Sequence, residues 1–111
     1  MTLRQQQSLF AALVGQLIQY AYGLGYEITL GEAFRSQEEA KRLAALGKGI
    51  TNSLHCKRLA IDLHLFKDGK YLITSEAHRP LGEWWKRQHP MCRWGGDFPR
   101  ADGNHYEMRP F

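Results

Sequence analysis

The sequence predicts an α+β fold, a small and mainly antiparallel sheet packed against helices. Three observations lead there. The first twenty or so residues carry apolar side chains at helical spacing, Leu9, Phe10, Leu13, Val14, Leu17, Ile18 and Ala21. A later stretch, LAIDLHLF, alternates at strand spacing and meets KYLI across Lys67-Asp68-Gly69, whose Asp-Gly pair signals a hairpin. The order of patterns along the chain is helix, strand, helix, hairpin, helix and two short strands.

Each element has its own warrant. The first helix is expected from Thr2 to about Tyr22, with Gly23 and Gly25 offering a stop. In YEITLGEAF, Tyr26, Ile28 and Leu30 alternate with Glu27 and Thr29, which predicts a half-buried strand. Ser36 and Glu39 form a capping box that opens a second helix over QEEAKRLAAL, closed by Gly47. KGITN reads as a loop. Pro80 can begin a third helix through Trp84 and Trp85, because proline is tolerated in the first turn, and Pro90 would end it. MCRWGG and HYEMR are the last strands, around the loop DFPRADGN.

The chain has 111 residues, 43% of them hydrophobic and 23% charged, which suits one soluble domain over residues 1–111. No apolar run reaches the ~20 residues that span a bilayer, so no stable membrane insertion is expected. The N-terminus lacks the pattern of a secretory signal, which leads us to expect synthesis and folding in a cytoplasm. Cys56 and Cys92 are then expected to stay reduced. The formal charge of +4 is scattered and suits a polyanionic neighbourhood, either nucleic acid or an envelope.

Chemistry gathers around SLHCKRLAIDLHLF. On that strand Leu59, Ile61, Leu63 and Leu65 share one face, and Ala60, Asp62, His64 and Phe66 the other. Asp is rare in strand interiors, and a buried unpaired carboxylate is costly. His55 can fold back over the face of Asp62. Near the C-terminus, DGNHYE supplies Asp102, His105 and Glu107. Two imidazoles and a carboxylate from separate segments suit zinc, with a fourth position left for water, on the open face of the sheet. Asp102 can then serve as base. By spacing alone a plainer reading is equally open: His55 a loop histidine, Asp62 paired with Lys57 or Arg58, Asp102 a surface turn.

SLHCKRLAIDLHLF with DGNHYE resembles the zinc D-Ala-D-Ala carboxypeptidase / L-alanyl-D-glutamate endopeptidase family, whose pattern is S-x-H, six residues, D, then [D/E]-x-x-H. The FRS segment matches its arginine, which follows an aromatic residue and precedes the second helix. GEAFRSQEEAKRLAALGKGITNSLH, LFKDGKYL and WGGDF look like its small phage-encoded members. The resemblance covers roughly Ile28 to Glu107. It implies one Zn²⁺ per chain on His55, Asp62 and His105, with Asp102 as general base. It also implies Arg35 as polariser of the scissile carbonyl and Ser53 as a substrate contact. The second motif begins with Asp, where the vancomycin-resistance dipeptidases have Glu, and that favours the phage endopeptidase branch. The chain is short for the family and shows no wall-binding module, so a pared-down groove is expected.

Other residues draw plainer expectations. His64 is not expected to bind metal, nor is Cys56. His78 and His89 are read as surface residues beside a helix. Glu107 is expected to steady His105 rather than replace Asp102. One of Trp84 and Trp85 should enter the core, and Trp94 is read as core before groove. The function expected is a metallopeptidase of peptidoglycan stem peptides, a monomeric L-alanyl-D-glutamate endopeptidase serving as a phage or prophage endolysin, made in the cytoplasm of a bacterial host and reaching the wall after release. A D-alanyl-D-alanine carboxypeptidase is the first alternative. A zinc-stabilised nucleic-acid-binding or nuclease module is the second, disfavoured because no recognition helix or basic stripe stands out.

Overall fold

A computed structural model describes residues 1–110. It has three α-helices, α1 (Leu3–Gly23), α2 (Gln37–Ala45) and α3 (Arg79–Lys86). The strands are β1 (Glu27–Leu30), β2 (Ala60–Lys67), β3 (Lys70–Leu72), β4 (Cys92–Trp94) and β5 (His105–Met108). Every strand pair is antiparallel. The α+β expectation is therefore correct.

The sheet is organised on β2. Along one edge it pairs β5 through Ala60–Asp62 and then β3 through Leu65–Lys67. Along the other edge it pairs β1 through Leu63–Phe66. β4 extends the sheet beyond β5. The β2–β3 turn is tight because Asp68 and Gly69 both take positive φ, 53° and 77°, as a primed two-residue hairpin requires.

The core lies on the face that α1 and α3 cover. Phe10, Leu13, Val14, Leu17 and Ala21 of α1 pack with Leu59, Ile61, Leu63 and Leu65 around β2. Leu81 and Trp85 of α3, with Tyr106 and Met108 of β5, complete the cluster. Burying a side chain such as Leu17 or Leu63 contributes about 1.5–3 kcal/mol. Trp85 is fully buried, whereas Trp84 lies partly exposed and stacks on Tyr20 with centroids 5.0 Å apart. Trp94 is in the core, and a Cβ on Gly82 would meet its ring at 2.1 Å, so α3 approaches β4 only because residue 82 has no side chain.

Local signals act largely as expected. Thr2 and Gln5 form a reciprocal capping box on α1. Ser36 accepts from Glu39 N–H at 3.1 Å, but the Glu39 carboxylate turns outward to Arg42, so only half of the second box forms. Pro80 sits in the first turn of α3, which ends before Pro90. Leu30 departs from expectation. It is 68% exposed, because β1 is an edge strand whose outer part has nothing packed over it. His78 is a further correction. It is 3% exposed, in a short 3-10 turn (Glu76–His78) ahead of α3, and its Nδ1 lies 2.8 Å from the Tyr106 hydroxyl. A residue beside a helix is buried when another strand crosses it, and β5 does so here. No described helix is long and apolar enough to cross a membrane.

Candidate metal centre

His55 is delivered by a 3-10 turn, Leu54–Lys57, that follows the KGITN loop. Ser53 caps it, its Oγ accepting from His55 N–H at 3.2 Å. Arg58 closes it in the left-handed region, φ 56°, and this reversal lets the chain enter β2 with His55 over the Asp62 face. The His55 Nδ1 faces the Ala33 carbonyl at 3.4 Å, which leaves Nε2 pointing at Asp62.

Asp62 stands opposite His105 in the β2–β5 register. Its backbone is fixed on the other side, with N–H donating to Glu32 O at 2.9 Å and its carbonyl accepting from Gly31 N–H at 2.8 Å. A Cβ on Gly31 would meet that carbonyl at 2.7 Å, so the strand crossing needs glycine. β5 alternates as a strand must: Tyr106 and Met108 enter the core, and His105 and Glu107 face the site.

His55 Nε2 lies 3.4 Å from Asp62 Oδ1, and His105 Nδ1 lies 3.2 Å from the same oxygen. One donor atom from each of the three residues falls within 4.8 Å of the others. Ligands ~2.0–2.1 Å from a tetrahedral zinc stand ~3.3 Å from one another, so this triangle has the size and donor chemistry that zinc takes. Glu107 Oε1 lies 2.7 Å from His105 Nε2, which leaves Nδ1 to face the triangle. Arg93 pairs with the other Glu107 oxygen at 2.5 Å. A histidine held through its second nitrogen by a carboxylate is the usual support of a metal ligand.

The electrostatics favour a cation. Burial works against the Asp62 carboxylate, but bonds to His105 and His55 outweigh it and hold Asp62 well below the usual carboxylate range. Burial likewise opposes a charged His105, yet Asp62 and Glu107 on either side raise it to about 9. Glu107 is also held below its ordinary value despite burial, by His105 and Arg93. Two carboxylates stay ionised beside two imidazoles, and a divalent ion placed there would displace the proton shared with His105.

The triangle opens on a cavity of about 550 Å³, whose lining includes Arg35, Lys48, Ser53, Phe98 and Asp102. Asp102 thus reaches the same space. Its turn is held by Asp102 N–H to Gly95 O at 2.9 Å and His105 N–H to Asp102 O at 3.0 Å. The next residue is held harder. Gly103 N–H donates to Ser75 Oγ at 2.9 Å, and Trp94 Nε1–H donates to Gly103 O at 2.7 Å. Arg35 is ion-paired with Glu32, and its Nε is buried without a partner. The plainer expectation for Arg35 from sequence is a salt bridge to Glu32 or Glu38, and the structure gives the one to Glu32. Phe98, whose ring centroid is 5.7 Å from that of His105, carried no signal in the sequence. His64 stands apart from the triangle and faces the Tyr71 hydroxyl at 3.2 Å. Both cysteines are free, and Cys56 Sγ turns to the Ser36 carbonyl.

A family profile described as D-alanyl-D-alanine carboxypeptidase matches residues 47–108, more than half of the chain, and includes the whole triangle. The chain belongs to that family, and so to the M15-type zinc peptidases of peptidoglycan. Among solved structures it is similar to the Serratia marcescens L-Ala D-Glu endopeptidase ChiX, with a TM-score of 0.70 and 19% identity over 88% of this chain and 78% of that one. It is also similar to a vancomycin resistance D,D-pentapeptidase, VanY, from a VanB-type cassette, solved as an E175A mutant in complex with Zn(II). There the TM-score is 0.61 and identity 16%, over 91% of this chain and 71% of that one. No curated protein matches significantly.

Proposed function

We propose that the chain is a zinc-dependent endopeptidase that cuts the bond between L-Ala and D-Glu in the peptidoglycan stem peptide, as a phage or prophage lysis enzyme would. The observation that carries this reading is the His55–Asp62–His105 triangle, opening on a cavity that Asp102 and Arg35 also line. One ion per chain would be held by those three residues. Bound there, zinc would polarise the scissile carbonyl and lower the pKa of a water from 15.7 to about 7. Asp102 takes the proton of the attacking water and delivers it to the departing amine. The Arg35 guanidinium, aimed by Glu32, donates to the carbonyl oxygen as negative charge develops, a contribution typically of ~3–4 kcal/mol. Glu107 keeps His105 in one tautomer and orientation. Ser53 acts first as the cap that sets His55, and its hydroxyl lies at the cavity wall.

The choice of bond is supported by the sequence Asp102-Gly103-Asn104-His105, with Asp in its first position, and is compatible with the fold shared with ChiX. A D-alanyl-D-alanine carboxypeptidase would use the same residues on a different bond. Mass spectrometry of digested peptidoglycan separates them. The endopeptidase yields free peptides beginning with D-Glu and glycan strands whose lactyl group keeps only L-Ala. Free D-Ala as the sole small product would establish the carboxypeptidase instead.

A further inference from the structure

A second cavity, of about 390 Å³, adjoins the one over the triangle. It shares Lys48, Gly49, Ile50, Phe98 and Asp102 with it and adds Arg100. Four cationic side chains, Arg35, Arg93, Lys48 and Arg100, line the two cavities together. Arg35 is paired with Glu32 and Arg93 with Glu107. Lys48 and Arg100 have no carboxylate partner among the described residues. On the rest of the surface some cations are neutralised nearby, Arg42 by Glu39, Arg79 by Glu76 and Glu83, and Lys86 by Glu83 and Asp97. Others among the described residues, such as Lys41 and Lys70, are not, and what sets Lys48 and Arg100 apart is that they line the groove.

We propose that Lys48 and Arg100 form an anion subsite beside the triangle, and that it takes the free α-carboxylate of the substrate residue on the nitrogen side of the scissile amide. The inference rests on the peptidase reading above. Both candidate bonds present that group. In L-Ala–D-Glu the D-Glu continues through its γ-carboxyl, so its α-carboxylate is free; in a terminal D-Ala–D-Ala the last α-carboxylate is free. The side of the groove formed by the 47–50 loop and the 98–102 segment brings two cations that have no ion-pair partner among the described residues, against the single carboxylate of Asp102, to the adjoining cavities. A carboxylate held there fixes which way round the peptide lies, with its scissile carbonyl over the triangle. Unpaired cations lining a concave surface also raise the local concentration of anionic ligands.

The test uses the zinc-loaded protein and two reduced-amide isosteres of L-Ala–γ-D-Glu–L-Lys, alike except that the D-Glu α-carboxyl is a free acid in one and a carboxamide in the other. Calorimetry should show the acid binding tighter by roughly 10-fold or more, the scale of a hydrogen-bonded charge. The K48A/R100A double variant should lose the difference between them, and K48E/R100E should reverse it. Both positions are exposed, and circular dichroism checks that the variants fold. Equal affinity of the unmodified protein for acid and carboxamide, in this pair and in a matching D-Ala–D-Ala pair alike, overturns the subsite, as does a preference that survives K48A/R100A. A matching pair of D-Ala–D-Ala isosteres tells which carboxylate is the natural one, since a preference confined to that pair moves the source and keeps the subsite. Hydrolysis of the unreduced peptides is scored separately. No cleavage together with an intact acid preference would refute the peptidase reading and leave the anion subsite standing.

Discussion

Asp62 occupies the middle of a strand, where a lone carboxylate would cost several kcal/mol. It is retained because His55 and His105 meet the same oxygen from two sides. The spacing of Ser53, His55 and Asp62 alone left this open, since a strand fixes which face Asp62 takes but not what covers it, and the resemblance to the peptidase family chose His55 and His105. Glu32 was legible as a partner of Arg35 from its spacing of three, whereas Arg93 was not visible, because it acts through Glu107, which only the folded chain brings near. Asp102 and Arg35 carry the residue-scale predictions. Asp102→Asn should keep one zinc per chain and lose turnover by a factor of roughly 10² to 10⁴, whereas Asp62→Ala should lose the metal. Metal analysis alongside peptidoglycan hydrolysis checks both, and loss of zinc from Asp102→Asn would make Asp102 a ligand. Arg35→Lys should fold normally, with its charge and a contact to Glu32 kept, and lose about 10² in rate because lysine lacks the planar fork. Near-normal kinetics in that variant would leave Arg35 a purely structural partner of Glu32.

The elements differ in how far their sequences betray them. α1 was legible from periodicity and the β2–β3 hairpin from Asp-Gly, since both are local and repeated signals. The 3-10 turns that carry His55 and His78 were not, because three or four residues hold no period. His78 shows what such an element hides. Burial, with a smaller effect from His64, lowers its pKa to about 4 from 6.5. Between those values the unfolded chain binds a proton that the folded chain refuses, so stability is full above pH 6.5 and falls as pH drops toward 4. The loss should be on the order of 2–3 kcal/mol. His78→Gln can still bond the Tyr106 hydroxyl but does not titrate. Urea unfolding of both proteins at pH 7 and pH 4 should show the unmodified chain losing more over that interval. An identical pH dependence would place His78 in contact with solvent.

At the scale of the molecule, the site is assembled from segments far apart in the chain, and this was the least legible part. Sequence order predicted helices on a sheet. It did not predict that β2 takes β5 and β3 in succession along one edge, which is what sets Asp62 opposite His105. The same long-range closure passes through Trp94. Its ring is buried, packed beneath Gly82 and Gly96, and its Nε1–H holds Gly103, the neighbour of Asp102. The molecule therefore carries an optical reporter wired to the turn that bears Asp102. Replacing Trp84 and Trp85 by Phe leaves Trp94 as the only fluorophore of its kind among the three tryptophans. Its emission should be blue-shifted, as befits a dry indole, and should change when zinc or a stem peptide moves the 101–104 turn. It should shift red when Ser75→Ala slackens that turn, long before the helices melt. An emission spectrum that follows only global unfolding would show that the turn and the indole are uncoupled.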